Sequence, residues 1–134
     1  TRQLVEKSGY FVVQIPVVSQ MATVLYAGGR SYADAPDKND PIPFFYQPEF
    51  DLPLVAGCAG WLVCKVMPYP DIQQQHNLFM GDIVAAWSDD RVFRNGHWIF
   101  DDAPDELRTV HYVAGGQFYA IGKGSKFEHG PGQD

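Results

Sequence analysis

Residues 61 to 87 constrain the fold most, because they spell two extended segments and the break between them. Leu62, Cys64 and Val66 alternate with Val63, Lys65 and Met67, the period of two that sends successive side chains to opposite faces of a sheet. Pro68 and Pro70 stop that strand, since proline cannot donate to a ladder, and the polar run from Pro68 to Gln75 reads as a short loop. A second strand is expected to begin at His76, with Phe79, Ile83 and Trp87 sharing one parity. Gly81 within it leaves room for another group to approach the backbone closely.

A chain of 134 residues suffices for one core and one domain. Its apolar and charged fractions, 46% and 19%, are those of a folded protein. The formal charge of −6 repels phosphate backbones and sets nucleic acid aside as the main partner. A small phosphorylated ligand is still compatible, because a few amides and one or two cations suffice to hold a phosphate. No apolar run is long enough to span a bilayer, and no basic-then-apolar leader opens the chain, so a cytoplasmic protein away from membranes is expected. Cys58 and Cys64 would lie roughly 20 Å apart on an extended chain, beyond bridging distance, so two buried free thiols are expected rather than a redox pair.

Residues 1 to 8 read as a helix stopped by Gly9, and residues 10 to 16 as a strand with Phe11, Val13 and Ile15 on one face. A second helix is expected over residues 19 to 27, with Ser19 as its N-cap and Gly28 or Gly29 as its stop. Residues 29 to 53 lose periodicity. Their prolines and aromatics (Phe44, Phe45, Tyr46 and Phe50 among them) predict a long functional loop, packed across a groove or a neighbouring subunit. Asn95-Gly96 predicts a two-residue type I′ hairpin. Asp101 or Asp102 is placed to cap a short helix near Pro104, with Asp105 and Glu106 at its positive end. A last strand is expected over residues 117 to 121, then a mobile tail over residues 123 to 134.

The motifs of several large enzyme classes are absent. Phe127 stands where the third glycine of a dinucleotide fingerprint would follow Gly122 and Gly124. There is no phosphate-binding P-loop, no H-E-x-x-H and no G-x-S-x-G, and no histidine is spaced from cysteine or carboxylate as a metal ligand would be.

What is present, "L-x-C-K-V" from Leu62 and "H-x-L-F-x-G-D-I-V-A-A" from His76, resembles the flavin reductase-like family with an FMN-binding split β-barrel. The resemblance covers residues 1 to 122, taken as one domain, and implies a mainly β fold with a few short helices. Family members carry several strands before the position of Thr1, so the domain is expected to be N-terminally incomplete, and the initial Thr points the same way.

The resemblance also assigns roles. Thr1 matches a family threonine at a helix start that suits the FMN phosphate, although a plain helix cap explains it equally well. Tyr10 to Pro16 match "F-x-V-N-x-P", with Gln14 in place of the frequent Asn. Gly29-Arg30 and Asp37-Lys38 resemble "S-G-R-x-x-x-D-K-F", with Gly28 for the Ser and Asn39 for the Phe. Arg30 and Lys38 are thereby candidates to face the phosphate or a nicotinamide cofactor, and a solvated loop charge is the alternative for Lys38. Tyr112 matches a family tyrosine that edges the flavin pocket, while Tyr119 reads as strand core. His76 is the candidate for chemistry: a family histidine here lies near the flavin and the incoming nicotinamide, where imidazole donates to a carbonyl or developing anion. A surface histidine is the alternative.

The implied activity is hydride transfer from NADH or NADPH to bound FMN in a homodimer, with a monooxygenase or another electron acceptor downstream. Two alternatives stay open: a flavoredoxin-type electron carrier, and a non-catalytic binding module on the same barrel.

Overall fold

The computed structural model describes residues 2–29 and 42–128. Its centre is an antiparallel sheet in the order β1-β4-β5, formed by Tyr10–Ile15, Gly60–Val66 and Gly81–Ser88. Of these three strands β4 is the middle one in sequence and in space, pairing with β1 over residues 60–65 and with β5 over residues 60–66. Trp61, Val63 and Cys64 are buried on it, which explains why apolar residues occupy both of its faces.

The β4–β5 register shifts between Val63 and Cys64, so Val63 faces Ala85 while Cys64 faces Ile83, and Val84 is the extra residue of a bulge. The bulge overturns the single parity expected for β5. Ile83 falls on the face of Phe11 and Cys64, and Trp87 on the opposite face with Trp61. Gly81 behaves as expected: a Cβ there would lie 2.8 Å from the Phe11 ring and 2.9 Å from Cys64 Cβ.

The helix α1 spans Arg2–Ser8 and ends at Gly9, whose φ of 76° lies in the left-handed region. The helix α2, Met21–Gly28, is preceded by a 3-10 turn over Val18–Gln20. Ser19 therefore lies inside that turn and does not cap the helix. The reason is Gln20, whose side-chain Oε1 accepts from the buried Val17 N–H at 3.1 Å and so folds the chain back one turn early.

The proline-rich stretch is not structureless where it is described. Phe44–Phe45 (β2) and Leu54–Val55 (β3) form a two-stranded ribbon. The ribbon lies over the chain's own sheet rather than across a separate groove. Phe45 meets Trp61 edge-on at 5.4 Å, and Phe50 meets Trp87 at 6.1 Å. Leu54, Cys58 and Trp61 form the core beneath it, and a second cluster of Val17, Ala59 and Val92 closes one end of the sheet.

Side-chain amides knit this layer down. Gln14, at the edge of β1, accepts from Val55 N at 2.7 Å. Gln20 donates from Nε2 to Ala56 O at 3.0 Å, and Trp61 Nε1 donates to Val55 O at 2.9 Å.

The segment 68–79 is the largest departure from the expected loop. Pro70–His76 form a helix, α3, with Pro70 in the first turn where its missing N–H costs nothing. The second strand consequently starts at Gly81 and not at His76. Downstream, Phe93–Arg94 (β6) and His97–Trp98 (β7) form the expected hairpin, with φ of 54° at Asn95 and 78° at Gly96.

Among the described residues no α-helix follows Pro104; 3-10 turns occupy Phe100–Asp102 and Asp105–Leu107 instead. Their carboxylates serve Arg108 rather than a helix end. Its guanidinium donates to Asp105 at 3.1 Å and Asp101 at 3.0 Å, and to Gly122 O at 2.8 Å. Asp101 also accepts from Gly124 N, and these contacts hold its carboxyl below the usual range, the Arg108 bond first. The final ribbon pairs Val110–Ala114 (β8) with Gln117–Ala120 (β9). Among the described residues no helix is long and apolar enough to cross a membrane.

Two substitutions test this architecture. Gln20→Leu strands a buried N–H at Val17 and should lower unfolding free energy by about 2 kcal/mol in urea denaturation; an unchanged midpoint would show that the amide is dispensable. Gly81→Ala should cost about 1–3 kcal/mol by overpacking against Phe11 and Cys64, read as a lowered melting temperature.

Candidate functional site

Of the described residues singled out by sequence, His76 alone is carried by the corner where α1 approaches α3. Arg2, in the first turn of α1, donates from Nε to Glu6 Oε1 at 2.9 Å and from Nη2 to Gln74 Oε1 at 3.1 Å. The first is an exposed i,i+4 pair within the helix. The second crosses from α1 to α3 over 72 positions of sequence.

His76 closes α3, two residues beyond Gln74, and is exposed. The chain turns at once: Asn77 adopts φ of 50°, and its N–H returns to Gln73 O at 3.1 Å. Gln73 in turn donates from Nε2 to Met67 O at 3.2 Å. A backbone bond from Met67 N to Met80 O, 2.7 Å, draws the two ends of the excursion together. His76 is thus carried on a short helix projecting from the β4–β5 strand ends.

The other sequence candidates are dispersed. Gly29 is exposed at the end of α2, with its N–H on Leu25 O. Tyr112 sits half-exposed on β8, where its hydroxyl accepts from Gly116 N at 3.3 Å and its ring tilts against Phe118 at 4.8 Å. Thr1, Arg30 and Lys38 lie outside the described residues. Arg2 and Gln74 were not singled out from sequence. The Arg2–Glu6 spacing was a visible signal for the first, but nothing in a run of three glutamines distinguishes the middle one.

A groove of ≈ 640 Å³ runs between α1, β1 and the segment before β3. Leu4, Val5, Tyr10, Phe11 and Leu52 line it, with Lys7 at its border. The volume is that of a small-molecule site. Its apolar and aromatic walls suit a planar ring, and the Lys7 ammonium at its border suits an anionic tail. The residues present therefore fit a flavin nucleotide in chemical type. Among the described residues no group of three or more His, Cys, Asp or Glu could hold a metal ion.

The family model for the flavin reductase like domain matches residues 1–114. The chain belongs to this family. An FMN-binding domain of a flavin reductases-like enzyme from Shewanella baltica OS155 is 45% identical, with a TM-score of 0.92, over 96% of this chain and 68% of that one. The uncharacterized protein YddH of Escherichia coli (strain K12) is 37% identical over 92% of this chain, which spans 65% of YddH. The flavoredoxin of Desulfovibrio vulgaris (Miyazaki F), 20% identical, shares the fold with a TM-score of 0.68 over 98% of this chain and 69% of that one. The architecture is accordingly the family's split barrel, mainly β with short helices, its three-stranded sheet left open among the described residues.

The flavin reductase-like domain keeps its thiols apart from this corner. Cys58 and Cys64 are free and buried. Burial pushes both thiols up, and a bond with Gln20 offsets part of the effect at Cys58. Neither is poised as a thiolate near neutral pH. The folded protein should label with a thiol-exchange reagent at least about tenfold more slowly than the denatured chain; rapid labelling of the native state would refute the buried, inert assignment.

Proposed function

We propose that this domain binds FMN and catalyses hydride transfer to it from NADH or NADPH. The observation that carries the proposal is the Arg2–Gln74 hydrogen bond, which joins α1, at the edge of the apolar groove, to the helix that ends in His76. Family membership and the 45% identity to an FMN-binding domain support the same cofactor. When bound, the flavin supplies the two-electron chemistry.

The protein's own part is binding, orientation and polarisation. Arg2 offers a fixed guanidinium toward an anionic tail, and Thr1, Arg30 and Lys38 add donors and charge on the phosphate side. Gly29, at the exit from α2, lets backbone approach the ligand without a side chain. Tyr112 offers a half-exposed ring to the pocket's rim. His76, exposed and able to donate from imidazole, acts near the reacting face of the ring, holding the nicotinamide amide or a flavin carbonyl. In this reading the protein works as a cytoplasmic homodimer and delivers electrons to a monooxygenase or another acceptor.

The test is direct. Full-length protein mixed anaerobically with FMN and then with NADH or NADPH should lose flavin absorbance near the visible maximum. His76→Ala should slow that bleaching by about 100-fold, in the range of a lost proton donor or acceptor, while FMN affinity changes by less than about twofold. Equal rates in wild type and variant would remove His76 from the chemistry. Bound FMN that neither nucleotide reduces would leave the flavoredoxin-type carrier, and absence of any flavin binding would leave a binding module on the same fold.

A further inference from the structure

We infer that Gln74 is a positioning residue: its hydrogen bond with Arg2 latches α3 to α1 and thereby sets the place of His76. The inference rests on the function proposed above for His76, but the latch itself is a property of the fold. No residue of α3 is fully buried, and Ile72 is its one half-buried apolar side chain, so apolar packing holds this helix only weakly. Its position depends on polar tethers at two points. Gln73 binds back to Met67 O, at the helix's own root, and so fixes only the base of the excursion. Gln74 alone among the described tethers reaches another element, α1, through Arg2 Nη2 at 3.1 Å.

The flanks make the excursion a hinged one. Tyr69, before the helix, has φ of −118° and ψ of 69°, between two prolines that exclude continuation of β4. Asn77, after it, occupies the left-handed region at φ of 50°. With both ends in non-helical geometry, α3 can swing as a unit about its root if the far tether is released. His76 lies two residues beyond Gln74 on the same helix, so it would move with α3. Arg2 is itself pinned by Glu6, so its guanidinium meets Gln74 from a fixed direction.

Gln74→Leu removes the acceptor at nearly unchanged size, and Arg2→Leu removes the donor. In hydrogen exchange, amides 73–77 of the full-length protein should exchange at least about threefold faster in either variant, as expected for a local opening no longer restrained by a side-chain bond. The double variant should be no faster than either single one, because both break the same bond. In the same proteins, flavin reduction by the effective nicotinamide nucleotide should slow about threefold to tenfold in Gln74→Leu with FMN affinity and melting temperature unchanged, a split that a general loss of structure would not produce. Gln74→Glu, which keeps the acceptor, should restore slow exchange.

Unchanged exchange in Gln74→Leu overturns the latch. Faster exchange with an unaltered reduction rate overturns the positioning role. A wild-type protein that neither NADH nor NADPH reduces would instead defeat the proposed function, and exchange alone would then uphold or overturn the latch.

Discussion

Strand β4 must satisfy two partners at once, and that constraint organises the rest of the molecule. Its backbone is committed on both edges, to β1 and to β5, and its side chains are covered on both faces at Trp61, Val63 and Cys64. A strand so enclosed leaves room for a charge only near its end, at the exposed Lys65, and does not tolerate loose registration. The bulge at Val84 is the adjustment that follows. It lets β5 keep Trp87 beside Trp61 under the β2–β3 ribbon while returning Ile83 to the face of Phe11. Without the extra residue one of the two would have to change faces, since the side-chain period of a strand is two. Gly81 completes the fit, because the Phe11 ring occupies the volume of any side chain placed there.

Much of this was legible in the chain, and the failures have specific causes. Alternation at residues 61–67 and the Asn95-Gly96 pair identified strand and hairpin, because those signals are local and the structure follows them. The parity of β5 was misread because a bulge leaves no mark in a pattern of apolar residues. The helix over Pro70–His76 was read as loop because its sequence has no amphipathic face: it buries no residue fully, and Pro70 looks like a breaker when it is a first-turn residue. Ser19 does not cap α2 because it lies within the 3-10 turn that the Gln20–Val17 bond closes ahead of the helix. Asp101 reads as a helix cap and Asp105 as a residue at the helix's positive end because nothing local reveals that Arg108 gathers both.

The candidate site was legible only in part, for a related reason. The motif around His76 singles out a residue that the structure places, exposed, at the end of α3. The link between that motif and the opening helix is a contact between Arg2 and Gln74, far apart in sequence, which no periodicity encodes. Thr1, Arg30 and Lys38 owe their candidacy to resemblance alone, and Tyr112 turns out to spend its hydroxyl on its own hairpin turn.

The glutamines show how one functional group serves opposite purposes under different burial. Gln20 is buried, and each bond of its amide replaces one that water could not otherwise supply to Val17 N or Ala56 O. Losing it leaves polar atoms stranded in a medium of low dielectric, so it acts as a lock. Gln74 makes the same kind of bond at the surface, where water competes for both partners and the net gain is small. Stability therefore falls along the chain of contacts, from β4 through the amide-stitched ribbon to the tethered helix that carries His76. A gradient in that direction would suit the proposed site: a rigid sheet would keep a ligand's walls in place, while a helix held by one surface tether could adjust to it.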